Sequence, residues 1–314
     1  MHIFVTGSLS DAERAAWAEA LARRLPQARF STQTPLADPA GVAVAVVANP
    51  PPGALAGLSG LRLIQSVWAG VDRLLADTSL PAGVPLARMV DPMMTAAMVE
   101  TGLWAVLTLH RRFDDYARQQ AAGQWRVLAQ PRASDCRVLV LGLGEMGMAL
   151  ATRLLALGYA VSGWRARAGT GPAPVGLRTW QGPELLDAAL AQADVLVNLL
   201  PLTAATRGLL DARRLARLPA GSALVNLARG AHVVEADLLA ALDAGHLRHA
   251  VLDVFAAEPL PAGHPFWHHP RVTVLPHAAA QTDIGSAADQ VARNVLALQQ
   301  GRPLRHLVSR ERGY

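Results

Sequence analysis

The sequence predicts an α/β protein of two domains, each built on a parallel sheet, and three observations carry that prediction. The chain has 314 residues, about twice the length of a common single domain. It is 52% hydrophobic and 17% charged, a composition that fills cores and argues against disorder. Short runs of β-branched and aliphatic residues alternate with longer helix-forming stretches almost to the C-terminus, which is the rhythm of βαβ units.

In the first third, His2 to Thr6, Val42 to Ala48, Leu61 to Val67 and Leu86 to Met89 read as strands of a small parallel sheet. A helix from Asp11 to Leu25 follows the first of them, with Ser10 placed to accept from first-turn N–H groups. From Pro92 one long helix is expected to run towards Ala121: proline suits a first turn, and Gly123 suits the residue past the end. Gly102 weakens that helix slightly. A second series of strands follows at Val138 to Leu141, Ala160 to Gly163, Val195 to Leu199, Ala223 to Leu227, Ala250 to Val254 and Val272 to Leu275. Helices separate the first five, so this series suits a doubly wound sheet. A last helix spans Asp283 to Gln300, and the tail from Arg302 to Tyr314 carries no strong pattern.

Composition excludes several classes of function. Every basic residue is arginine, and without lysine the chain has neither a Schiff-base amine nor a P-loop of the GK[ST] form. The formal charge of +5 is spread along the chain with acids between, and its densest cluster, Arg213, Arg214 and Arg217, has the spacing of a solvated helix face. A nucleic-acid partner, which needs a clustered basic stripe, is not expected. Nor is a membrane: the longest uncharged apolar candidate, Val42 to Leu61, is interrupted by Pro50, Pro51 and Pro52. Met1 to Gly7 lacks a basic n-region and a secretory h-region, and the one cysteine, Cys136, permits no internal disulfide; both fit a cytoplasmic protein. Cys136 reads as a packing residue. His264, His268 and His269 lie among Pro265 and Pro270, which break any helical ligand face, so no metal is expected. Trp104 and Trp125, with Met93, Met94 and Met98, read as core or subunit interface.

The second series opens on Val138-Leu139-Val140-Leu141, which runs into Gly142-Leu143-Gly144-Glu145-Met146-Gly147 and then a helix-forming stretch from Met148 to Leu157. In that context G-x-G-x-x-G is a dinucleotide turn. Gly142 makes the tight turn, Gly144 lets the backbone approach a pyrophosphate, and Gly147 lets helix and strand pack closely, with the phosphates at the helix N-terminus. About twenty residues on, where an acid would bond the adenosine ribose, Ala160 to Trp164 ends instead in Arg165-Ala166-Arg167. Guanidinium groups there pair with a 2′-phosphate, so NADPH is expected over NADH; the plainer alternative makes Arg165 and Arg167 surface charges.

Three further segments follow strands of the same series: Asn226-Leu227-Ala228-Arg229-Gly230, then Leu252-Asp253-Val254-Phe255 with Glu258-Pro259, then Leu275-Pro276-His277-Ala278-Ala279-Ala280. In a doubly wound sheet the C-terminal strand ends converge on one crevice, which would gather Arg229, Glu258 and His277. Arginine offers a planar fork for a carboxylate, histidine moves a proton near neutral pH, and a glutamate beside it favours the protonated ring. The alternatives are a structural histidine after a turn proline and a glutamate that merely caps a loop.

With these segments in place the chain resembles the D-isomer-specific 2-hydroxyacid dehydrogenases over nearly its whole length. The pattern includes the Gly142 to Gly147 turn, Pro201 with Thr206, N-L-A-R-G with Val234, L-D-V-F…E-P, and P-H followed by small residues. It is most similar to the glyoxylate/hydroxypyruvate reductase A branch through Arg111 to Tyr116, Ala231 to Glu235, Trp267 with His269 to Val272, and the terminal Arg312-Gly313-Tyr314.

The resemblance implies a doubly wound Rossmann-type nucleotide domain, residues 99–281, inserted in a smaller flavodoxin-like parallel α/β substrate domain, residues 1–98 with 282–314. It implies that Arg229 holds the substrate carboxylate, that His277 donates the proton, and that Glu258 pairs with His277. Glu145, Met146, Trp164, Leu200, Pro201, Thr206, Leu227, Ala228 and Ala279 would line the cofactor with the glycines, and Asp253 would lie near the nicotinamide. Trp68, Ala69 and Gly70 match the family's substrate loop, whose backbone N–H groups bind the carboxylate; Trp68 stands where a small residue is expected. A homodimer through the nucleotide domain is also implied. The expected activity is NADPH-preferring reduction of glyoxylate and hydroxypyruvate, with NADH possible as cofactor. The alternatives are a catalytically silent dinucleotide sensor of the same fold, a dehydrogenase for a larger 2-keto acid, or a related formate or phosphonate dehydrogenase.

Overall fold

Two parallel sheets organise the chain in the computed structural model, which describes every residue except Thr170 and Pro172. One unit comprises Met1–Met94 with Thr282–Tyr314; the other, Thr95–Gln281, is inserted between those segments. The division falls at Met94/Thr95, inside a helix, and not at 98/99.

The first unit contains β1 (His2–Gly7), α1 (Asp11–Arg24), β2 (Arg29–Ser31), β3 (Val42–Ala48), β4 (Leu63–Ser66), the short α2 (Asp72–Leu75) and β5 (Leu86–Ala87). Its strand order, β2-β1-β3-β4-β5, is the flavodoxin-like order. Val42, Val44 and Val46 to Ala48 are wholly buried, as expected of a central parallel strand covered on both faces. Ser10 caps α1 through a capping box: Glu13 N–H donates to Ser10 Oγ at 3.2 Å, and Ser10 N–H donates to Glu13 Oε2 at 2.7 Å. The three-residue strand β2, Arg-Phe-Ser, escapes the sequence reading because so short an edge segment carries no alternation.

The helix expected from Pro92 to Ala121 is two helices, α3 (Pro92–His110) and α4 (Phe113–Ala121). Arg112 between them is left-handed, with φ +59°. Tertiary partners pull the chain out of helical register there: buried Asp114 meets Arg248 Nη1 at 3.2 Å and His249 Nδ1 at 3.4 Å, and the His110 ring is held by Tyr159 Oη and the Pro131 carbonyl, both at 2.9 Å. By length and composition α3 also meets the requirement for a membrane span, which the sequence reading did not foresee. Its buried face, including Ala105, Val106 and Leu109, packs with Val138, Leu150 and Leu154, which is how a core helix behaves. Gly102 has a packing reason: a Cβ there would come within 2.8 Å of Leu150 Cδ2.

The inserted unit continues through β6 (Arg137–Leu141), α5 (Glu145–Ala156), β7 (Ala160–Arg165), β8 (Arg178–Gln181), α6 (Leu186–Leu190), β9 (Val195–Asn198), α7 (Ala212–Leu215), β10 (Ser222–Asn226), α8 (Glu235–Asp243), β11 (Leu247–Leu252) and β12 (Val272–Val274). The order β12-β11-β10-β9-β6-β7-β8 reverses direction beside β6, the switch point of a doubly wound Rossmann sheet. The edge strand β8, Arg-Thr-Trp-Gln, was not expected, again because a half-exposed polar run has no strand signature. Arg213, Arg214 and Arg217 gather around Asp187. Cys136 is buried and its thiol is pushed up to about 11, chiefly by desolvation, which suits packing and not nucleophilic chemistry. The chain then returns to the first unit with α9 (Ile284–Gln299), which packs on α1. The tail covers the β5 edge: Val308 N–H donates to the Leu86 carbonyl at 2.8 Å.

Candidate active site

The glycine turn meets the geometric demands of a dinucleotide cradle. Gly142 has φ +95°, and a Cβ there would lie 2.7 Å from the Leu199 carbonyl oxygen. At Gly147 a Cβ would stand 1.9 Å from the Gly142 carbonyl oxygen, so only glycine lets α5 approach β6. Gly144, by contrast, faces open space: a Cβ would meet none of the described residues within 4 Å, and the residue caps a twelve-residue helix whose first N–H groups have no intrahelical partner. The opening and the helix N-terminus fit a pyrophosphate. Glu145 is exposed and Met146 half-buried at the rim.

The Trp164 side chain is a core group, so what this position offers a cofactor is backbone. Its indole is buried in the cluster that includes Leu139, Leu141 and Leu196 and donates to the Gly182 carbonyl at 2.9 Å; its own carbonyl accepts from Gly142 N–H. Arg165 ends β7, and its Nε is buried with no hydrogen-bond partner among the described residues. Arg167 is exposed two residues on. After β9, Thr206 Oγ1 donates to the Pro201 carbonyl at 2.8 Å and fixes the turn that also carries half-buried Thr203. Leu200, Leu227, Ala228 and Ala279 are buried, so these positions offer backbone more than side chain.

Arg229, Glu258 and His277 follow β10, β11 and β12, three adjacent strands. His277 Nδ1 lies 2.8 Å from Glu258 Oε2. Burial pushes the Glu258 carboxyl up, but the bonds from His277 and from Phe255 N–H (2.9 Å), with the charge of Arg229, outweigh it and hold the group below the usual carboxylate value. His277 is left-handed, φ +54°, a conformation unusual for a side chain of this kind and frequent at functional sites. Asp253 explains how the backbone holds it: Asp253 carbonyl accepts from His277 N–H at 2.8 Å, and its carboxylate accepts from Ala278 and Ala279 N–H at 2.7 and 3.1 Å. Desolvation outweighs those bonds and raises the buried Asp253 carboxyl. Asp253 thus shapes the His277 loop from beneath.

Gly230 brings the arginine segment against the glutamate segment, since a Cβ there would be 1.9 Å from the Phe255 carbonyl carbon. Glu235 pins the same loop by accepting from Ala256 N–H at 3.0 Å. Glu235 was quoted in the sequence pattern but given no part there; its partner, twenty-one residues on, is visible only in three dimensions. Trp68, Ala69 and Gly70 belong to the other unit and follow β4. Ser66 Oγ bridges the Trp68 backbone, donating to its carbonyl and accepting its N–H, at 3.0 and 3.1 Å.

Comparison with known proteins agrees with this geometry. The model of the D-isomer specific 2-hydroxyacid dehydrogenase NAD-binding domain matches residues 103–279. The chain is 42% identical to glyoxylate/hydroxypyruvate reductase A of Serratia proteamaculans over 291 residues, 91% of each chain. It is 40% identical to the Salmonella newport protein of the same name over 303 residues, 95% of this chain and 96% of the other. Among solved structures, a D-isomer specific 2-hydroxyacid dehydrogenase from Xanthobacter autotrophicus in complex with NADPH and MES superposes with a TM-score of 0.93 at 37% identity, covering 100% of this chain and 99% of that one. An NADPH-dependent glyoxylate/hydroxypyruvate reductase from Sinorhizobium meliloti, with NADP and sulfate, gives 0.91 at 34% identity and the same coverage.

Proposed function

Because the chain belongs to the D-isomer-specific 2-hydroxyacid dehydrogenase family, we propose that it reduces small 2-keto acids, glyoxylate and hydroxypyruvate, with NADPH preferred over NADH. The observation that carries the reading is the 2.8 Å contact of His277 with Glu258, beside the segment that bears Arg229. Arg229 presents a fork to the substrate carboxylate and polarises the adjacent carbonyl. Glu258 holds His277 through Nδ1, which leaves Nε2 to deliver a proton to the carbonyl oxygen. A bound dinucleotide supplies the hydride to carbon 2. Backbone N–H groups of Ala69 and Gly70 are assigned to the substrate carboxylate.

Preference for NADPH is supported by Arg165 at the end of β7, whose Nε has no hydrogen-bond partner among the described residues, and by the NADPH and NADP complexes of the two similar structures. A homodimer is supported by an irregular segment after α4 on which Trp125 is 98% and Val127 83% exposed. Light scattering on the protein and on Trp125→Ser tests it, and an unchanged monomer mass for both refutes it.

The rival reading is a silent dinucleotide sensor, for which the Arg229, Glu258 and His277 set would be unnecessary. The deciding experiment follows oxidation of NADPH and of NADH with glyoxylate, hydroxypyruvate, pyruvate and phenylpyruvate in parallel. Fast NADPH oxidation with the first two, and loss of turnover by roughly 10²- to 10⁴-fold in His277→Ala with cofactor affinity retained, is the expected result. Activity with phenylpyruvate alone would favour the larger acid, and cofactor binding without turnover would favour the sensor.

A further inference from the structure

Beneath Arg229 lies a polar network with no part in the chemistry described so far. Asn198 ends β9, Asn226 ends β10 beside it in register, and His232 closes the single turn Gly230–His232. All three are buried, with His232 and Asn198 at 0% exposure. Buried polar groups persist where their hydrogen bonds are made, and here the bonds can be followed one by one.

Asn198 Nδ2 reaches Asn226 Oδ1 at 2.9 Å and His232 Nδ1 at 3.0 Å, one for each of its two hydrogens. Asn226 Nδ2 donates to the Arg229 carbonyl at 3.0 Å, and the His232 backbone N–H donates to the same carbonyl at 3.2 Å. Those two donors occupy both lone pairs of that oxygen. His232 Nδ1, although 3.1 Å from it, is therefore assigned as the acceptor of Asn198, which puts the ring proton on Nε2. Nε2 faces the Pro201 carbonyl at 3.2 Å, whose other partner is Thr206 Oγ1 at 2.8 Å. The neutral Nε2–H tautomer satisfies the contacts with Asn198 and with Pro201, two of the ring's three, and leaves Nδ1 facing the Arg229 carbonyl as a second acceptor; the opposite tautomer would bond that carbonyl but set a ring N–H against the Asn198 amide and Nε2 against the Pro201 carbonyl.

We propose that His232 is a positioning residue, locked as the Nε2–H tautomer, which ties the backbone of Arg229 to the Pro201–Thr206 turn and so fixes where the guanidinium meets the substrate carboxylate. The inference rests on the proposed role of Arg229 in binding a 2-keto acid. Histidine suits the position because one ring donates at one end and accepts at the other across a dry gap between two loops. A misplacement of about 1 Å in such a group costs up to roughly 100-fold in rate.

The test compares His232→Leu with His232→Gln, whose amide can again donate to the Pro201 carbonyl. In His232→Leu the KM for glyoxylate is expected to rise at least about tenfold, while His232→Gln recovers most of that loss. A merely structural role would lower melting temperature or active fraction and leave KM unchanged. Unchanged KM in folded His232→Leu overturns the proposal, and so does an equal rise in both variants. Nitrogen-15 spectra of the histidine-labelled wild-type protein, with the His232 signals identified by their loss in His232→Gln, provide a readout that needs no turnover. If neither variant folds, selective labelling of the wild-type protein with assignment through the ring's neighbours serves instead. A protonated Nε2 shielded from solvent is expected, and a protonated Nδ1 or a fast-exchanging ring overturns the proposal. If the wild-type protein reduced none of the keto acids, the proposed reaction would fail while the ring measurement still judged the network.

Discussion

Gly144→Ala locates the dinucleotide phosphates while the fold is held constant. The added methyl meets none of the described residues within 4 Å, and Gly144 has φ −80°, which alanine adopts without strain. Alanine caps a helix less well than glycine, so stability should change by less than about 1 kcal/mol. In the complex the same methyl occupies the space through which a phosphate approaches the first N–H groups of α5. Lengthening or losing two charge-assisted bonds, at about 1.5 kcal/mol each, amounts to about 3 kcal/mol, or roughly 100-fold in Kd. Gly147→Ala is the contrasting variant. Its methyl would stand 1.9 Å from the Gly142 carbonyl oxygen, a backbone atom that cannot swing aside, so at least about 1–3 kcal/mol of stability should be lost together with binding. Thermal melting and fluorescence titration with NADPH on both variants make the measurement. Native NADPH affinity in Gly144→Ala would refute the placement of the phosphates, and a native melting temperature in Gly147→Ala would refute the packing argument.

Arg165→Asp should move preference from NADPH towards NADH by at least about tenfold in kcat/KM, since it replaces a phosphate partner by a repelling carboxylate; an unchanged ratio places phosphate recognition elsewhere. Glu258→Gln keeps an acceptor for Phe255 N–H but removes the charge beside His277. A pair of charges about 4 Å apart is worth about 4 kcal/mol at an intermediate dielectric, and screening at a half-exposed His277 reduces this to about 1 kcal/mol. A fall of roughly fivefold in kcat/KM is expected, and native kcat/KM would remove Glu258 from proton transfer. His249 tests the helix break at Arg112. Desolvation, with the charges of Arg118 and Arg248, pushes its ring down to about 4, against Asp115, which raises it. Between pH 6.5 and 4 the unfolded chain therefore takes a proton that the folded one refuses, and stability falls with pH by up to about 3 kcal/mol. The neighbouring Asp114, raised by burial, acts in the opposite sense at the acid end. Melting temperature should consequently decline less steeply in His249→Gln over this range, and coincident profiles would defeat the argument.

Much of the site was legible because its signals are local. The strand before Gly142, the three glycines and the helix after them lie within about twenty consecutive residues, and period-2 and period-3.6 patterns report directly on such a segment. The convergence of Arg229, Glu258 and His277 followed from one rule about strand ends in a doubly wound sheet, together with the resemblance of the surrounding motifs. Ser10 marked the start of α1.

Tertiary structure decided what depends on partners distant in the chain. Local pattern carries the helix from Pro92 through to Ala121, but the Asp114 carboxylate finds Arg248, 134 residues on, and the helix breaks at Arg112 to let it do so. Trp164 looked available at a strand end, yet its indole turns into the core because β7 has neighbours on both sides. Strands β2 and β8 exist through pairing with β1 and β7, not through any preference of their own three or four residues. Asn198 lies 28 residues before Asn226 and 34 before His232, and it meets them because adjacent strands end at one level. The sequence by itself determined the two parallel sheets, the dinucleotide turn and the residue types proposed here for a proton, a carboxylate and a phosphate, since composition, local spacing and the resemblance they carry suffice for these. Which of those groups are held, at what angle and by what, was decided by the folded chain, because hydrogen bonds and burial depend on distance in space and not on distance in sequence.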